Sequence, residues 1–174
     1  MDRGDDEDFK AWVVARREPL RRSAFLMCGD WFLADDLVQE AVGRVYAVWP
    51  RVSVRGAPDS YARRVVVNLL VDHRRRAWRR EVPHDELPDR ADPTAIDTSV
   101  RDDVMRALAE VPPRQRAVLV LRFWEDLSVE ETASVLSCSS GNVKSQTSRG
   151  LANLRAALEA QGSTQLLDTV KELS

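Results

Sequence analysis

Five polar side chains stand at helical spacing towards the C-terminal end of this 174-residue chain: Asn142, Lys144, Ser145, Ser148 and Arg149. Their amide, ammonium, hydroxyl and guanidinium groups donate hydrogen bonds to phosphates and base edges. No carboxylate stands among them to repel a polyanion. The stretch that holds them, Ser128–Leu158, reads as two short amphipathic helices joined by a tight turn, the geometry that lays a helix in a DNA major groove. An ordinary helical hairpin with a polar surface shares the apolar spacing; the donor cluster is what favours nucleic acid.

The elements that must position these donors follow from capping and periodicity. Ser128 with Glu131 three residues later forms a capping box, and Val129, Thr132, Ala133 and Leu136 follow at i, i+3, i+4, i+7. Ser139 is the natural cap of the second helix. Its inward stripe is Val143, Thr147, Leu151, Leu154 and Leu158, which leaves the five donors on the outer face.

A second basic feature lies earlier in the chain. Tyr61–Arg80 holds seven arginines against one acid, Asp72, whereas Glu81–Glu110 holds nine acids against Arg90, Arg101 and Arg106. The net charge of −2 conceals this asymmetry. A basic block beside an acidic one points to a polyanion partner on the first. Trp78 among these arginines fits a platform for single-stranded bases or a packing residue equally well.

Enzymatic chemistry finds no support in the pattern. There is no GxxxxGK[ST] phosphate loop, no HExxH and no GxSxG. The pairs Asp35-Asp36 and Glu130-Glu131 sit at predicted helix starts, where the helix dipole accounts for them. Cys28 and Cys138 are isolated and His73 and His84 are the only imidazoles, so no catalytic site, metal site or cofactor is expected. Two lone cysteines suggest free thiols in a reducing, cytoplasmic setting. The acidic segment MDRGDDEDF lacks the apolar core of a secretion signal, and no apolar run approaches the roughly 20 residues of a membrane span, so no membrane contact is expected.

Periodicity near 3.6 throughout predicts an all-α fold of two small helical domains joined by a flexible acidic linker. Helices are expected at about Glu7–Met27, with Gly29-Asp30 as the break, and at Leu33–Trp49, with Pro50 ending it. Arg51–Asp59 reads as a loop, followed by a helix over Ser60–Arg80. Glu81–Ser99, with Pro83, Pro88, Pro93 and six acids, is the linker. Beyond it come a helix from near Val100, an interruption at Pro112-Pro113, a helix over Arg114–Trp124 and the helical hairpin. The apolar residues Leu166, Leu167, Val170 and Leu173 of the tail suit either docking on the second domain or a partner.

Three blocks in this order carry a resemblance. DDLVQEAVGRVYAVW, SYARRVVVNLLVDHRRR and VPPRQRAVLVLRFWEDLSVEETASVLSCSSGNVKSQTSRGLANLR resemble regions 2.2, 2.3–2.4 and 4 of the extracytoplasmic-function (ECF, group 4) RNA polymerase sigma factors, in particular their actinobacterial SigE-like branch. The resemblance implies domains at 1–80 (region 2), 81–99 (linker) and 100–160 (region 4), with a tail at 161–174. It implies that Asp36, Leu37, Gln39 and Glu40 meet the clamp helices of the largest subunit of core RNA polymerase. Arg55, Gly56, Ser60, Arg63, Arg64, Asn68, Arg75 and Arg76 would meet the −10 element of promoter DNA, with Asn68 helping to hold a flipped base. Asn142, Lys144, Ser145, Ser148 and Arg149 would meet the −35 element. It also implies an anti-sigma factor as partner and no stable homo-oligomer. Gly150-Leu151-Ala152-Asn153 departs from the family's usually arginine-rich stretch. Two rival readings explain less: a stand-alone helix-turn-helix regulator leaves Asp35–Trp49 and the arginine-rich helix without a role, and an adaptor bundle leaves the donor cluster without one.

Overall fold

The structure is a computed structural model that describes residues 3–80, 98–163, 166–168 and 170. Every element among the described residues is helical, and the chain divides into two compact units, Met1–Asp89 and Arg90–Ser174. The all-α expectation holds. The predicted linker falls outside the described residues as far as 97, and Thr98 and Ser99 already belong to a helix.

Unit 1 is built from α1 (Arg3–Cys28), α2 (Trp31–Val54) and α3 (Pro58–Arg80). Asp5 and Asp6 lie in the first turn of α1, where negative charge complements the helix dipole. Gly29, at φ 77°, closes α1 with its N–H on the Phe25 carbonyl at 2.7 Å. Asp30 then caps α2, accepting from the N–H groups of Phe32 (2.8 Å) and Leu33 (3.2 Å).

Pro50 does not end α2, contrary to expectation; the helix runs on to Val54. The bond a proline N–H cannot make is the one to the Tyr46 carbonyl, and both residues lie on the exposed face, so the break in the helix ladder does not fall in the core. Ser53 Oγ supports the extension by donating to the Trp49 carbonyl at 2.7 Å. The expected loop therefore shrinks to Arg55, Gly56 and Ala57, with Gly56 at φ 62° and Pro58 opening α3.

The core of unit 1 comes from the inner stripes of all three helices: Leu20, Ala24 and Phe25; Ala34, Leu37, Val38, Ala41, Val45 and Trp49; Ala62, Val66, Leu69 and Leu70. Val65 and Val67 are buried as well. Phe25 stacks on Trp31 with ring centroids 3.8 Å apart, and the Arg21 guanidinium lies 4.2 Å above the Trp31 ring. Asp59, in the first turn of α3, accepts from Trp12 Nε1 at 2.7 Å and pairs with Arg16 Nε at 3.1 Å, which ties that turn to α1.

Unit 2 contains α4 (Thr98–Glu110), α5 (Pro113–Leu119), a π-helical turn Val120–Trp124, α6 (Val129–Leu136) and α7 (Ser140–Gln161). The single helix expected over Arg114–Trp124 is thus α-helical only in its first half. Arg116 is buried and donates through Nη2 to the carbonyls of Ala109 (2.7 Å) and Val111 (3.2 Å), closing the C-terminal end of α4. Arg122 Nη1 donates to the Leu127 carbonyl across the turn before α6, where Asp126 takes φ 52°.

The predicted capping box is present in both directions. The Glu131 N–H donates to Ser128 Oγ at 3.1 Å, and the Ser128 N–H donates to Glu131 Oε2 at 2.8 Å. Ser128→Ala is expected to cost about 0.5–2 kcal/mol, read as a lower denaturation midpoint of unit 2.

Ala107, Val111, Leu119, Leu151, Ala157, Leu158 and Val170 form one buried cluster, with Leu166 and Leu167 packed against it. The tail therefore docks on its own unit, which decides between the two options left open by the sequence. Ser163 Oγ, at the turn into that tail, donates to Asp103 Oδ2 at 2.7 Å. This bond, then the hydrogen bond and charge of Arg106, hold the Asp103 carboxyl below its usual range. A depressed acid contributes stability above its unfolded pKa and loses it as pH falls through the folded value, so this tie to the tail weakens on acidification.

Candidate functional site

On unit 2, α6 ends at Ser137, a left-handed residue at φ 52°, and the Cys138 N–H donates to the Ala133 carbonyl at 3.0 Å. Ser139 caps α7 by accepting from the Asn142 N–H at 3.1 Å. Helix, tight turn and second helix follow one another as the spacing predicts. Val143 and Leu151 are buried and fix the rotation of α7. Lys144, Ser145, Ser148 and Arg149 are consequently exposed, with Asn142 half-buried beside the cap.

Gly150 gives a physical reason for the departure from an arginine-rich stretch. A Cβ there would meet Leu119 Cγ at 3.1 Å and Gln115 Cβ at 3.3 Å, so the small residue lets α7 approach α5 closely. Asn153 adds a 2.7 Å bond from Nδ2 to Gln115 Oε1. These positions serve packing and leave the donor face to the turns before them.

A cleft of roughly 400 Å³ opens between the π turn, α6 and α7, and Arg122, Lys144, Ser148 and Arg155 contribute to its walls. Sequence reasoning missed Arg122 and Arg155. The signal for Arg155 was available, since Lys144, Ser148 and Arg155 (i, i+4, i+11) share one helix face. Arg122 reaches the cleft through the π turn, which no sequence rule reveals.

On unit 1 a second cleft, of roughly 350 Å³, separates the end of α2 from the start of α3. Val48, Arg51, Val52, Arg55, Tyr61 and Arg64 line it. Arg55 and Arg64 were expected to act together and do share this cleft; Arg51 and Tyr61 were not singled out for it. Asn68 lies one turn beyond Arg64 on α3 and is exposed, and exposed Arg75 continues the same face. Gly56 is exposed at the rim turn and Ser60 is half-buried in the first turn of α3. Arg63, one residue before Arg64, projects about 100° away from that stripe, half-buried. Arg76 and Trp78 belong to α3, but their side chains lie outside the described residues.

Arg74, not among the expected site residues, is half-buried and donates from Nη2 to the Met27 carbonyl at 3.3 Å. Burial lowers its pKa, partly opposed by the nearby Cys28. It is therefore a tie between α3 and α1, unlike exposed Arg75.

Asp36, Gln39 and Glu40 are exposed on α2, and Glu40 carries a salt bridge to Arg44 one turn on. Leu37 is a correction. Expected on the same surface, it is buried with Ala34, Val38 and Ala41, because its position on the 3.6-residue repeat turns it to the core. Asp35 is engaged by Arg21 at 2.8 Å and so belongs to the α1–α2 packing.

Among the described residues no cluster of three metal-ligating side chains occurs, and no helix is long and apolar enough to cross a membrane. Cys28 and Cys138 are half-buried and form no disulfide, and Cys28 Sγ donates to the Asp30 carbonyl at 3.2 Å.

Comparison with known proteins gives two family matches in chain order: Sigma-70 region 2 over residues 12–80 and Sigma-70, region 4 over residues 101–154. The RNA polymerase sigma-E factor of Streptomyces avermitilis is 39% identical over 165 residues, covering 92% of this chain and 90% of the relative. The ECF RNA polymerase sigma factor ShbA of Streptomyces griseus is 33% identical over 136 residues, covering 72% of this chain and 71% of that relative. The fold matches the sigma factor RpoE of Bartonella quintana, solved in complex with the anti-sigma factor NepR, at a TM-score of 0.76 and 21% identity over 88% of this chain and 98% of that one. Two sigma-70 regions in order, carried on an all-helical fold by a sequence related to sigma-E factors over most of its length, place this chain in the ECF family of RNA polymerase sigma factors, which are transcription initiation factors and not enzymes.

Proposed function

We propose that unit 1 docks on the clamp helices of the largest polymerase subunit through the exposed face of α2, with Asp36, Gln39 and Glu40 in contact. In this reading unit 1, over residues 1–80, also captures the −10 non-template strand, and unit 2, over 100–160, binds the −35 duplex. The observation that carries it is the cleft lined by Arg51, Arg55, Tyr61 and Arg64, which leads onto exposed Asn68 along one face of α3. Guanidinium groups pair with phosphates, a phenol ring stacks on a base, and a side-chain amide hydrogen-bonds a base edge.

The energetics allow strand capture without nucleotide hydrolysis. Unstacking a base costs a few kcal/mol, and stacking on a protein platform returns about 1–3 kcal/mol per base. Phosphate pairing with Arg64 and Arg75 adds to the return. Core polymerase supplies the catalysis.

On unit 2, Lys144, Ser145, Ser148 and Arg149 of α7 enter the major groove of the −35 element, with Asn142 beside the helix N-terminus. Arg149→Ala is expected to weaken binding to promoter duplex by about 1–3 kcal/mol if it reads a base, and to relax sequence preference at one position. Footprinting upstream of the start site checks this; an unchanged footprint removes Arg149 from the reading set.

An anti-sigma factor is proposed to hold the protein inactive by covering the docking face of α2. The fold shared with a sigma factor crystallised in such a complex supports this. Titration of core polymerase tests the docking step itself. Asp36→Arg is expected to weaken the complex by about 2–5 kcal/mol, since it sets a cation where a carboxylate meets basic groups. Unaltered affinity would remove the α2 face from the interface.

A further inference from the structure

The cleft on unit 1 has two walls, and side chains of α1 reach the helix behind each. One wall is the end of α2, with Val48, Arg51, Val52 and Arg55; the other is the start of α3, with Tyr61 and Arg64. The gap between the walls is the dimension that a nucleotide has to fit.

Phe9, Trp12 and Arg16 follow at i, i+3 and i+7 and so share one face of α1. Phe9 and Trp12 pack on Trp49 of α2, with ring centroids 5.2 and 5.8 Å from its own. Trp49 is buried and stands next to Val48 in the chain, at the end of α2 that forms the first wall. The same Trp12 also reaches α3: its Nε1 donates to Asp59 Oδ1 at 2.7 Å, and Arg16 Nε meets Oδ2 at 3.1 Å. At 100° per residue, Asp59 leaves α3 about 140–160° round the helix from Tyr61 and Arg64. The carboxylate is therefore held from the back of the second wall, and that hold fixes how far its front stands from α2. The two bonds to Asp59 are unequal. The indole bond is part-buried and has a charged acceptor, which makes it strong and directional, whereas Arg16 is exposed and its ion pair adds little.

We propose that Trp12 is a positioning residue for capture of the −10 strand: its ring braces α2, its N–H holds α3 through Asp59, and together they set the width of the cleft. The inference rests on the reading that this cleft takes the −10 strand, and it adds a residue that touches no DNA. Without the tie, Tyr61 and Arg64 keep their chemistry and lose their spacing. The loss falls on strand opening, while docking through the exposed face of α2 is untouched.

The test sets permanganate reactivity of the −10 strand against affinity for core polymerase, using the full chain at a temperature where circular dichroism shows every variant folded. Trp12→Phe keeps a ring on Trp49 and drops the N–H; it is expected to lower opening about ten-fold with core affinity within about two-fold of wild type. Asp59→Ala removes the acceptor in place of the donor and should give the same selective loss, and the two combined should lose no more than either alone. Arg16→Ala, which removes only the outer ion pair, should leave opening near wild type. A merely structural role would lower opening and core affinity in parallel, since both depend on the folded fraction of unit 1, and that result overturns the proposal. Losses that multiply in the double variant also overturn it, because the two residues would then act separately. Arg51→Ala with Arg55→Ala, measured alongside, separates the two levels of the argument. If that pair impairs opening and Trp12→Phe does not, the brace is overturned and the cleft keeps its role; if neither impairs opening, both fall.

Discussion

Asn68→Ala is expected to lower open-complex formation about 10- to 100-fold while closed-complex recruitment stays near the wild-type level. The side chain is exposed on α3, one turn beyond the arginine and tyrosine cleft, and has no place in the core. In the proposed reading its removal leaves folding intact and deletes only its contact with DNA. A side-chain amide that hydrogen-bonds a base in two places is worth about 1–3 kcal/mol. That energy is realised only once the strand is unpaired, so it appears in melting and not in initial docking. Permanganate reactivity of the −10 strand set against gel-shift affinity on intact duplex separates the two stages. Equal loss in both would show that Asn68 helps in recruitment rather than in strand capture.

Arg116→Ala is expected to have the largest effect on folding. The guanidinium is buried in unit 2 and bonds the Ala109 and Val111 carbonyls where α4 ends. Hydrogen bonds to a charged group are worth about 1.5–3 kcal/mol each, and truncation leaves the buried Val111 carbonyl without this donor and removes the part-buried bond to Ala109. A loss of about 2–4 kcal/mol follows. For a unit of this size each kcal/mol corresponds to about 4–8 °C. Thermal melting should accordingly show unit 2 unfolding well below the wild-type temperature. Arg116→Lys is expected to recover only part of the loss, because both bonds leave the terminal Nη2 and the lysine ammonium sits one atom closer to its backbone. A melting curve that matches wild type would mean that the end of α4 is satisfied by other groups.

The parts of this molecule that were legible in the sequence are those governed by local rules. Ser128 with Glu131, Ser139, and the Gly29-Asp30 junction all mark helix ends through their own side-chain or backbone chemistry, and each stands where predicted. The α7 donors were legible because Val143 and Leu151 set the rotation of the helix. Leu37 was misjudged because a motif assigned it to a surface, although its periodicity placed it with Ala34 and Ala41; the period was the better guide. Pro50 was misread as a stop, because its cost depends on whether the freed carbonyl faces water, and that is a tertiary fact. Arg116 and Arg122 escaped notice for the same reason. Each acts on a carbonyl five to seven residues away, across a helix end that sequence alone does not fold. The cleft on unit 1 needed both the extension of α2 past Pro50 and the shortened turn at Arg55–Ala57, so Arg51 and Tyr61 had no reason to stand out beforehand.

In the proposed reading this chain works through core polymerase, and both units contribute to promoter choice. The decisive measurement is run-off transcription from a library of duplex promoters with purified core enzyme, with this chain added or withheld, and start sites mapped. Transcripts that depend on the chain and begin a fixed distance below one shared pair of upstream elements are the expected result. No transcripts above those of core enzyme alone, together with no complex between chain and core, would contradict the account.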